Sequence, residues 1–490
     1  MRAIQIIAAL LTLLVTAEAE NQNCKHNIRC NMMHNYYELP PEVTNIKEMF
    51  SEGMYYGRVR MNSFGYQWGE ELSLPNGLDI RKDHRVAALG GSLIYKSAYL
   101  NGFSFMAGLY GSQAQGNLDD TEGYLYKAGK GTLNREDLLE GKSSILSLAE
   151  GYLEYKYEKT SLRAGRQIFE SFLTKSNDTK MIPNTFEGVT LHTNEIKNID
   201  LNLAYFHKQK LRDHSNFHSV FAYGYDGQNL DSVFTENDDS AMHRGILKTE
   251  LDRQGIKDRL LVVELRHTAI DNLMLLANYT AVPDLIASVM MQADYRFEVG
   301  VWSVIPGLRY MQQFDQGAGA IGGANLQTVT QGYNNPESLD SDMFAARVDV
   351  VQDAFKLRFA MTQIADKGDL VAPWRGFPTA GFTRAMAQYN WYANTKSYMV
   401  QLDYEFEFVE NLKILSRYVI QDFDDHKEGV QADSNVFTFD IAKRFEDAHM
   451  IFKTRYAHVT GKAGDIVFED GFRKLNPSYD EIRFEINYLF

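Results

Sequence analysis

The sequence predicts an all-β fold, a transmembrane antiparallel up-and-down β-barrel of about eighteen strands. Three observations predict it. Runs of about ten residues alternate apolar and polar side chains, as membrane-barrel strands do. Short and long connections between these runs mostly alternate. The last stretch, "YDEIRFEINYLF", is itself such a run and ends on an aromatic residue.

The first residues are typical of a cleaved export signal at 1–19. Arg2 precedes an apolar run from Ile4 to Val15, and Ala17-Glu18-Ala19 has the small-x-small cleavage pattern. The run is too short to span a bilayer as a helix. We therefore expect a polar N-terminal segment over 20–53 and a single barrel domain with long external loops over 54–490, outside the cytoplasm.

Both cysteines, Cys24 and Cys30, follow the predicted cleavage site. In an exported chain this spacing favours a small disulfide loop. Because His26 and His34 lie beside them, metal binding by the same segment is the alternative, although the spacing matches no known zinc pattern.

The alternating runs define the predicted strands. They are 54–66, 86–97, 102–112, 145–157, 161–169, 187–194, 200–208, 259–269, 272–280, 286–297, 300–313, 343–352, 355–364, 396–406, 411–421, 434–444, 449–458 and 480–490. An even number of strands closes the first against the last, with short periplasmic turns at one end and long external loops at the other. A soluble β-sandwich or propeller would also alternate, but its loops lack this length asymmetry.

The alternation also predicts which side chains face the lumen. An arginine on the lipid face at mid-depth costs about 2–4 kcal/mol, so basic strand residues are expected inside. The pore-lining candidates are Arg58, Arg60, Arg266, Arg296, Arg309, Arg347, Arg358, Arg417, Lys453, Arg455 and Arg483. Carboxylates predicted on the same face are Glu264, Asp294, Asp349, Asp403, Glu405, Asp440 and Glu485. Rows of arginine attract anions, while pairing of these bases with the carboxylates across strands is the structural alternative.

The closing strand carries a second prediction. Phe484, Ile486, Tyr488 and Phe490 alternate with polar residues, and aromatic rings are favoured at the membrane interface. The terminal aromatic pattern resembles the assembly signal that directs bacterial outer-membrane barrels to the insertion machinery.

Other patterns indicate no catalytic or cofactor site. Gly317, Gly319 and Gly322 have dinucleotide-loop spacing, but no helix pattern follows them, so a flexible loop is expected. His207, His214 and His218 lack a nearby nucleophile motif and are expected in a solvated external loop. The net charge of −14 argues against nucleic-acid binding.

Two stretches show a family resemblance. "AGRQIFESFLTKSNDTKMIPNTFEGVTLHTNEIKNIDLNLAYFHKQKLRDHSNF" resembles the OprD-type porin family through Gly-Arg-Gln at 165–167, Ile-Pro-x-Thr-Phe-x-Gly at 182–188 and Thr-Asn-Glu-Ile at 193–196. The C-terminal stretch is also similar to that family's ending. The similarity is scattered over the chain and strongest over about 160–217. The resemblance implies eighteen strands, a narrow lumen, inward-folded loops and uptake of small, often carboxylate-bearing solutes past a row of basic side chains.

The loop 169–186 is the predicted constriction loop, and its candidate residues are Lys175, Asp178, Lys180 and Asn184. The sequence thus predicts a non-enzymatic outer-membrane porin for small hydrophilic, and by hypothesis anionic, solutes. A barrel enzyme and an adhesin or surface structural protein are the alternatives. Expected partners are outer-membrane lipid and lipopolysaccharide, the barrel-assembly machinery, small solutes and further copies in a homo-trimer. No cofactor is expected.

Overall fold

The computed structural model describes residues 26–28, 34–36, 39–136, 143–223, 245–386 and 389–490. Cys24 and Cys30 lie outside the described residues, and so does the predicted signal at 1–19. The disulfide and metal interpretations of that segment therefore remain predictions.

The predicted barrel is confirmed as a closed sheet in which each of eighteen strands pairs antiparallel with the next. In chain order the strands are β1 (Met54–Trp68), β2 (His84–Lys96), β3 (Phe103–Gly116), β4 (Ile145–Tyr157), β5 (Thr160–Gln167), β6 (Thr185–Thr193), β7 (Ile199–Lys210), β8 (Leu260–His267), β9 (Leu273–Val282), β10 (Ile286–Tyr295), β11 (Trp302–Asp315), β12 (Ser341–Gln352), β13 (Phe355–Ile364), β14 (Lys396–Glu405), β15 (Leu412–Asp422), β16 (Ser434–Phe445), β17 (Met450–Gly461) and β18 (Tyr479–Leu489).

β18 closes the barrel against β1. The pairing runs from Tyr479 opposite Trp68 to Leu489 opposite Arg58. Beyond it, the Phe490 N–H donates to the Gly57 carbonyl (3.2 Å) and the Gly57 N–H donates to the Phe490 carbonyl (3.0 Å). No edge is left in the sheet, as a membrane-spanning sheet requires.

The two faces of the strands differ as the alternation predicts. On β18, Ile482 and Tyr488 are exposed on the outside, whereas Glu481 and Asn487 are buried on the inside. Because cross-strand partners share a face, this parity fixes the inward set on every strand.

Connection lengths alternate as predicted. At one end, the turn end, connections are short, and Asp353 takes a positive φ (46°) in the two-residue connection between β12 and β13. At the other end, the loop end, the connections are longer, and four of them make the contacts described below. We call them L3 (168–184), L4 (211–259), L6 (316–340) and L7 (365–395).

The remaining elements are short. The helices are α1 (Ile46–Ser51), α2 (Lys248–Gln254) and α3 (Ala318–Gly322), with 3-10 turns at Asp120–Leu125 and Lys130–Thr132. Minor strands are His26–Ile28, His34–Tyr36, Glu42–Val43, Leu72–Ser73, Asp79–Arg81, Tyr99–Leu100, Ala222–Tyr223, Ile246–Leu247 and Phe297–Val299. Within the described part of the chain, no helix has the length and apolar character to cross a membrane.

One sequence expectation is wrong here. The glycine-rich stretch expected as a flexible loop contains α3, a single helical turn in L6. Its N-terminal side is held by Asp315, whose Oδ1 accepts from the N–H groups of Gly317 (2.9 Å) and Gly319 (3.1 Å).

The long loops turn inward and share a hydrophobic core at the loop end. Phe221 of L4 and Leu173 of L3 are fully buried there, and so are Trp374 and Trp391 of L7. Large apolar side chains are stabilised when they are removed from water. The loops bury these side chains by packing against one another inside the mouth of the barrel.

Candidate functional site

L3 is anchored inside the lumen by two arginines of β1. Arg60 Nη1 lies 2.7 Å from Asp178 Oδ1, and Arg58 pairs with the other oxygen of the same carboxylate. Arg60 also bonds Glu485 of β18. Asn62 donates its side-chain amide to the carbonyl of Lys180. Since all these wall residues face inward, L3 crosses the interior.

The other L3 candidates lie along the same crossing. The Lys175 N–H donates to the carbonyl of Trp374 in L7 (3.0 Å). Lys180 Nζ lies 4.2 Å from the centroid of the Phe64 ring. Asn184 is fully buried, and its N–H donates to the Ser176 carbonyl (2.7 Å).

L7 is held from the opposite side by three more arginines. Arg309 Nη1 donates to the carbonyls of Pro378 (2.7 Å) and Ala380 (2.8 Å). Arg347 and Arg358 both donate to the carbonyl of Gly381, at 2.8 and 2.7 Å. These guanidinium groups on β11, β12 and β13 fix the backbone of a loop.

L3 and L7 meet in the middle of the lumen. Thr174 pairs with Arg375 as an isolated β-bridge, and the Gly376 N–H donates to the Leu173 carbonyl (2.9 Å). The Arg375 guanidinium lies 2.9 Å from Asp213 of L4, and both side chains are almost wholly buried. L3, L4 and L7 therefore fill part of the lumen, and its open section is the space between these loops and the barrel wall.

A second group of basic residues, the basic patch, lies on β15 to β18. It consists of Arg417, Lys453, Arg455 and Arg483, which are only half-buried. Arg455 stands opposite Arg483 in the register of β17 and β18. Arg417 donates to Gln401 Oε1 (2.8 Å) rather than to a loop.

The carboxylates beside this patch are more deeply buried than the guanidinium groups that they pair with. Arg455 pairs with Asp440, and the exposed side-chain fractions are 20% and 6%. Arg483 pairs with Glu481, with exposed fractions of 15% and 0%. The guanidinium group is thus the more exposed member of each pair.

The wall formed by β2 to β5, on the other side of β1, has a different character. Glu154 accepts from Lys96 Nζ (2.6 Å), Arg163 Nε (2.8 Å) and the Tyr99 hydroxyl (2.9 Å). Glu150 accepts from the Tyr110 hydroxyl (2.6 Å). This wall presents tyrosine rings and carboxylates that are paired with basic or hydroxyl groups.

Two of the predicted pore-lining residues lie at the turn end. Arg266 is exposed near the end of β8. Arg296 lies beyond the end of β10, and its Nε is 3.0 Å from Glu298 in the turn. The basic residues predicted to face inward thus divide into loop anchors, a basic patch and the turn-end pair.

The predicted inward carboxylates have polar partners, some of them arginine or lysine and others amide groups. Asp294 bonds Arg347 (2.7 Å), Asp349 bonds Arg358 (2.6 Å), and Glu264 accepts from the Phe172 N–H of L3 (2.6 Å). Asp403 accepts from Gln401 (2.6 Å) and Glu405 bonds Lys413 (2.9 Å).

The expectation of three solvated histidines is wrong. His214 and His218 are buried, and His214 Nδ1 lies 3.0 Å from His218 Nε2. Burial lowers the pKa of His218 to about 4 and that of His214 well below its ordinary value. His207 lies on β7, 3.0 Å from Glu187. L4 folds inward, and its start at the end of β7 is buried with it.

Sequence reasoning missed the role of L7 and the Arg375–Asp213 pair. The available signal was the composition of "VAPWRGFPTAGF", which is too aromatic for an exposed polar loop. It also missed Glu154 and its partners on β2 and β5, because nothing in one strand indicates its cross-strand neighbours.

Comparison with known proteins agrees with this geometry. The profile of the family described as "outer membrane porin, OprD family" matches residues 117–419. A search of curated proteins finds no match.

Solved structures share the fold. Acinetobacter baumannii OccAB3 is similar with a TM-score of 0.67 at 13% identity, over 90% of this chain and 100% of that one. Pseudomonas aeruginosa OccK8 (OprE) gives 0.65 at 13% identity, over 90% and 99%. Pseudomonas aeruginosa OpdK, solved with vanillate, gives 0.62 at 12% identity, over 89% and 98%.

A closed eighteen-stranded barrel with loops folded into its lumen defines an outer-membrane channel of the porin class. More specifically, the chain belongs to the OprD family of outer-membrane porins. Proteins of this family are channels of the outer membrane.

Proposed function

We propose that the protein is a substrate-selective diffusion channel for small anionic solutes that carry a carboxylate. Solutes pass between L3 and the basic patch, where Arg417, Lys453, Arg455 and Arg483 form successive binding positions. Arginine binds a carboxylate through two parallel hydrogen bonds, so an anion exchanges one donor for the next along the wall.

One observation carries this proposal. In the two wall pairs Arg455–Asp440 and Arg483–Glu481, the arginine side chains are 20% and 15% exposed, whereas the carboxylates are 6% and 0% exposed. A wall with exposed carboxylates and buried guanidinium groups would repel anions instead. The vanillate in the OpdK structure is a carboxylate, which supports the same class of solute for this chain.

The test is the reversal potential of purified protein in a planar bilayer under a potassium chloride gradient. We expect a chloride-selective sign, and current block by an aromatic carboxylate but not by its neutral amide. The double variant R455Q/R483Q is expected to shift the reversal potential towards cation preference.

Arg296→Gln is the matched control, since Arg296 lies in a turn and is expected to leave selectivity unchanged. Cation selectivity of the wild type would contradict the anionic proposal. Absence of any conductance would contradict the channel itself.

A further inference from the structure

A group of charged residues lies on the lipid-facing surface at the loop ends of β5 to β8. Arg166, Glu187 and His207 follow the outward parity of Leu162, Val189 and Tyr205, which are exposed apolar residues. Their inward neighbours Gln167 and Phe186 are buried.

A β-bulge places two of these residues side by side. Glu187 pairs with Lys208 while Gly188 pairs with Phe206, so His207 is the extra residue of β7. A bulge of this kind turns successive side chains towards one face. Lys208 shares the face of its partner Glu187 and is exposed.

The contacts of the group centre on one carboxylate. Arg166 Nε donates to Glu187 Oε2 (2.9 Å), and His207 Nε2 lies 3.0 Å from Glu187 Oε1. Arg259 precedes the buried Leu260 at the start of β8 and so has outward parity. Two cations, Arg166 and Lys208, thus flank one anion, and Arg259 lies on the same face of the neighbouring strand.

The position makes this excess of positive charge costly without a partner. β5 has 8 residues and β6 has 9, close to the minimum of about nine that crosses the hydrocarbon. These two strands are among the shortest of the barrel, and the charges lie at their loop ends. An arginine facing lipid costs from about 1 kcal/mol near the interface to about 2–4 kcal/mol at the midplane.

We infer that this group binds the phosphate of a lipid headgroup in the outer leaflet. Arg166 and Lys208 bond the phosphate oxygens, while Glu187 holds the Arg166 guanidinium in place through its Nε. The Phe217 ring, 4.5 Å from the Arg166 guanidinium carbon, covers the other side of that group. The exposed apolar residues below the group accept the acyl chains.

The test is native mass spectrometry of the purified barrel titrated with lipid A, a phosphorylated acyl-glucosamine disaccharide. We expect lipid A to bind about tenfold more tightly than its dephosphorylated form. The double variant R166Q/K208Q is expected to remove this preference. E187Q, which takes away the only negative charge of the group, is expected to keep or increase it.

Arg85→Gln, at the loop end of β2 on the outward face, is the matched control and is expected to keep the preference. Heat-modifiable gel mobility checks that each variant is folded.

The inference is overturned if R166Q/K208Q retains the preference, or if E187Q loses it as the double variant does. Displacement of lipid A by millimolar inorganic phosphate would also overturn it, since the site would then bind a free anion. Channel conductance is expected to be the same in all these variants, so failure here leaves the proposed solute pathway untouched.

Discussion

Asp178 of L3 shares its carboxylate between Arg58 and Arg60, and all three side chains are buried inside the barrel. The first strand therefore holds the third external loop across the lumen. Removing one partner of a buried ion pair costs about 3–5 kcal/mol, which is enough to release a loop. Several inward arginines of this barrel thus fix loops, and those of the basic patch are the ones that we propose to face the solute.

The loop-fixing task predicts a phenotype for Arg309→Lys. Arg309 bonds two carbonyls of L7 and Gln292 at once, which a lysine ammonium cannot reproduce with its shorter reach. We expect frequent transient closures in single-channel recordings, because the L7 backbone loses its clamp. Arg296→Lys, in the turn between β10 and β11, is the control and should record as wild type. If recordings of Arg309→Lys show no more closures than those of the wild type, Arg309 does not hold the L7 backbone in place.

Asp369 predicts a pH dependence of loop packing. It lies in L7, its Oδ1 accepts from the Tyr333 hydroxyl of L6 (2.9 Å) and the Ala393 N–H (2.8 Å), and Oδ2 has no partner among the described residues. Burial raises its pKa to about 7. The folded state thus binds the proton more tightly than the unfolded state, so the stabilisation is complete below the ordinary pKa and is lost as pH rises to about 7.

Each unit of that shift corresponds to about 1.4 kcal/mol. We expect hydrogen exchange of L6 and L7 amides to be faster at pH 8 than at pH 5, beyond the intrinsic pH effect. Asp369→Asn should remove the difference. The control Asp366→Asn, at a half-exposed carboxylate that pairs with Lys427, should preserve it. An equal pH response in both variants would exclude Asp369 as the cause.

Gly57 lies where β1 closes against β18, and we predict that this position requires a glycine. A Cβ at this position would lie 2.1 Å from the Ser92 carbonyl oxygen and 2.8 Å from the Phe490 ring. We expect Gly57→Val to prevent closure of β1 against β18, and therefore to abolish heat-modifiable migration on gels. Gly111→Ala is the control, because its Cβ would meet the Ile145 oxygen at an ordinary 3.5 Å. Normal folding of Gly57→Val would show that the seam tolerates a side chain.

The strands were predictable because each carries its own signal. Period-two alternation depends only on lipid on one side and water on the other, so the residues of "FKLRFAMT" define a face without reference to any neighbour. Strand ends moved by a few residues, as for β3, which extends to Gly116. The parity of the inward arginines followed directly.

The roles of those arginines were not predictable in the same way. Arg358 and Arg455 have the same residue type, parity and carboxylate partner type, yet within the described part of L7 only Arg358 bonds a backbone carbonyl. That difference arises from the path of a loop in space, which no local pattern contains. The bulge at His207 likewise depends on the register of two strands.

The proposed channel function depends most on L3 narrowing the lumen. Its most direct test is the single-channel conductance of Asp178→Asn, which keeps the side-chain size and removes the charge shared by Arg58 and Arg60. Asp200→Asn, a half-exposed carboxylate near the turn end of β7, is the control. We predict that Asp178→Asn raises the conductance about twofold or more, because the field and width of the narrowest section set the current. An unchanged conductance in a folded Asp178→Asn barrel would contradict the proposal that L3 narrows the lumen.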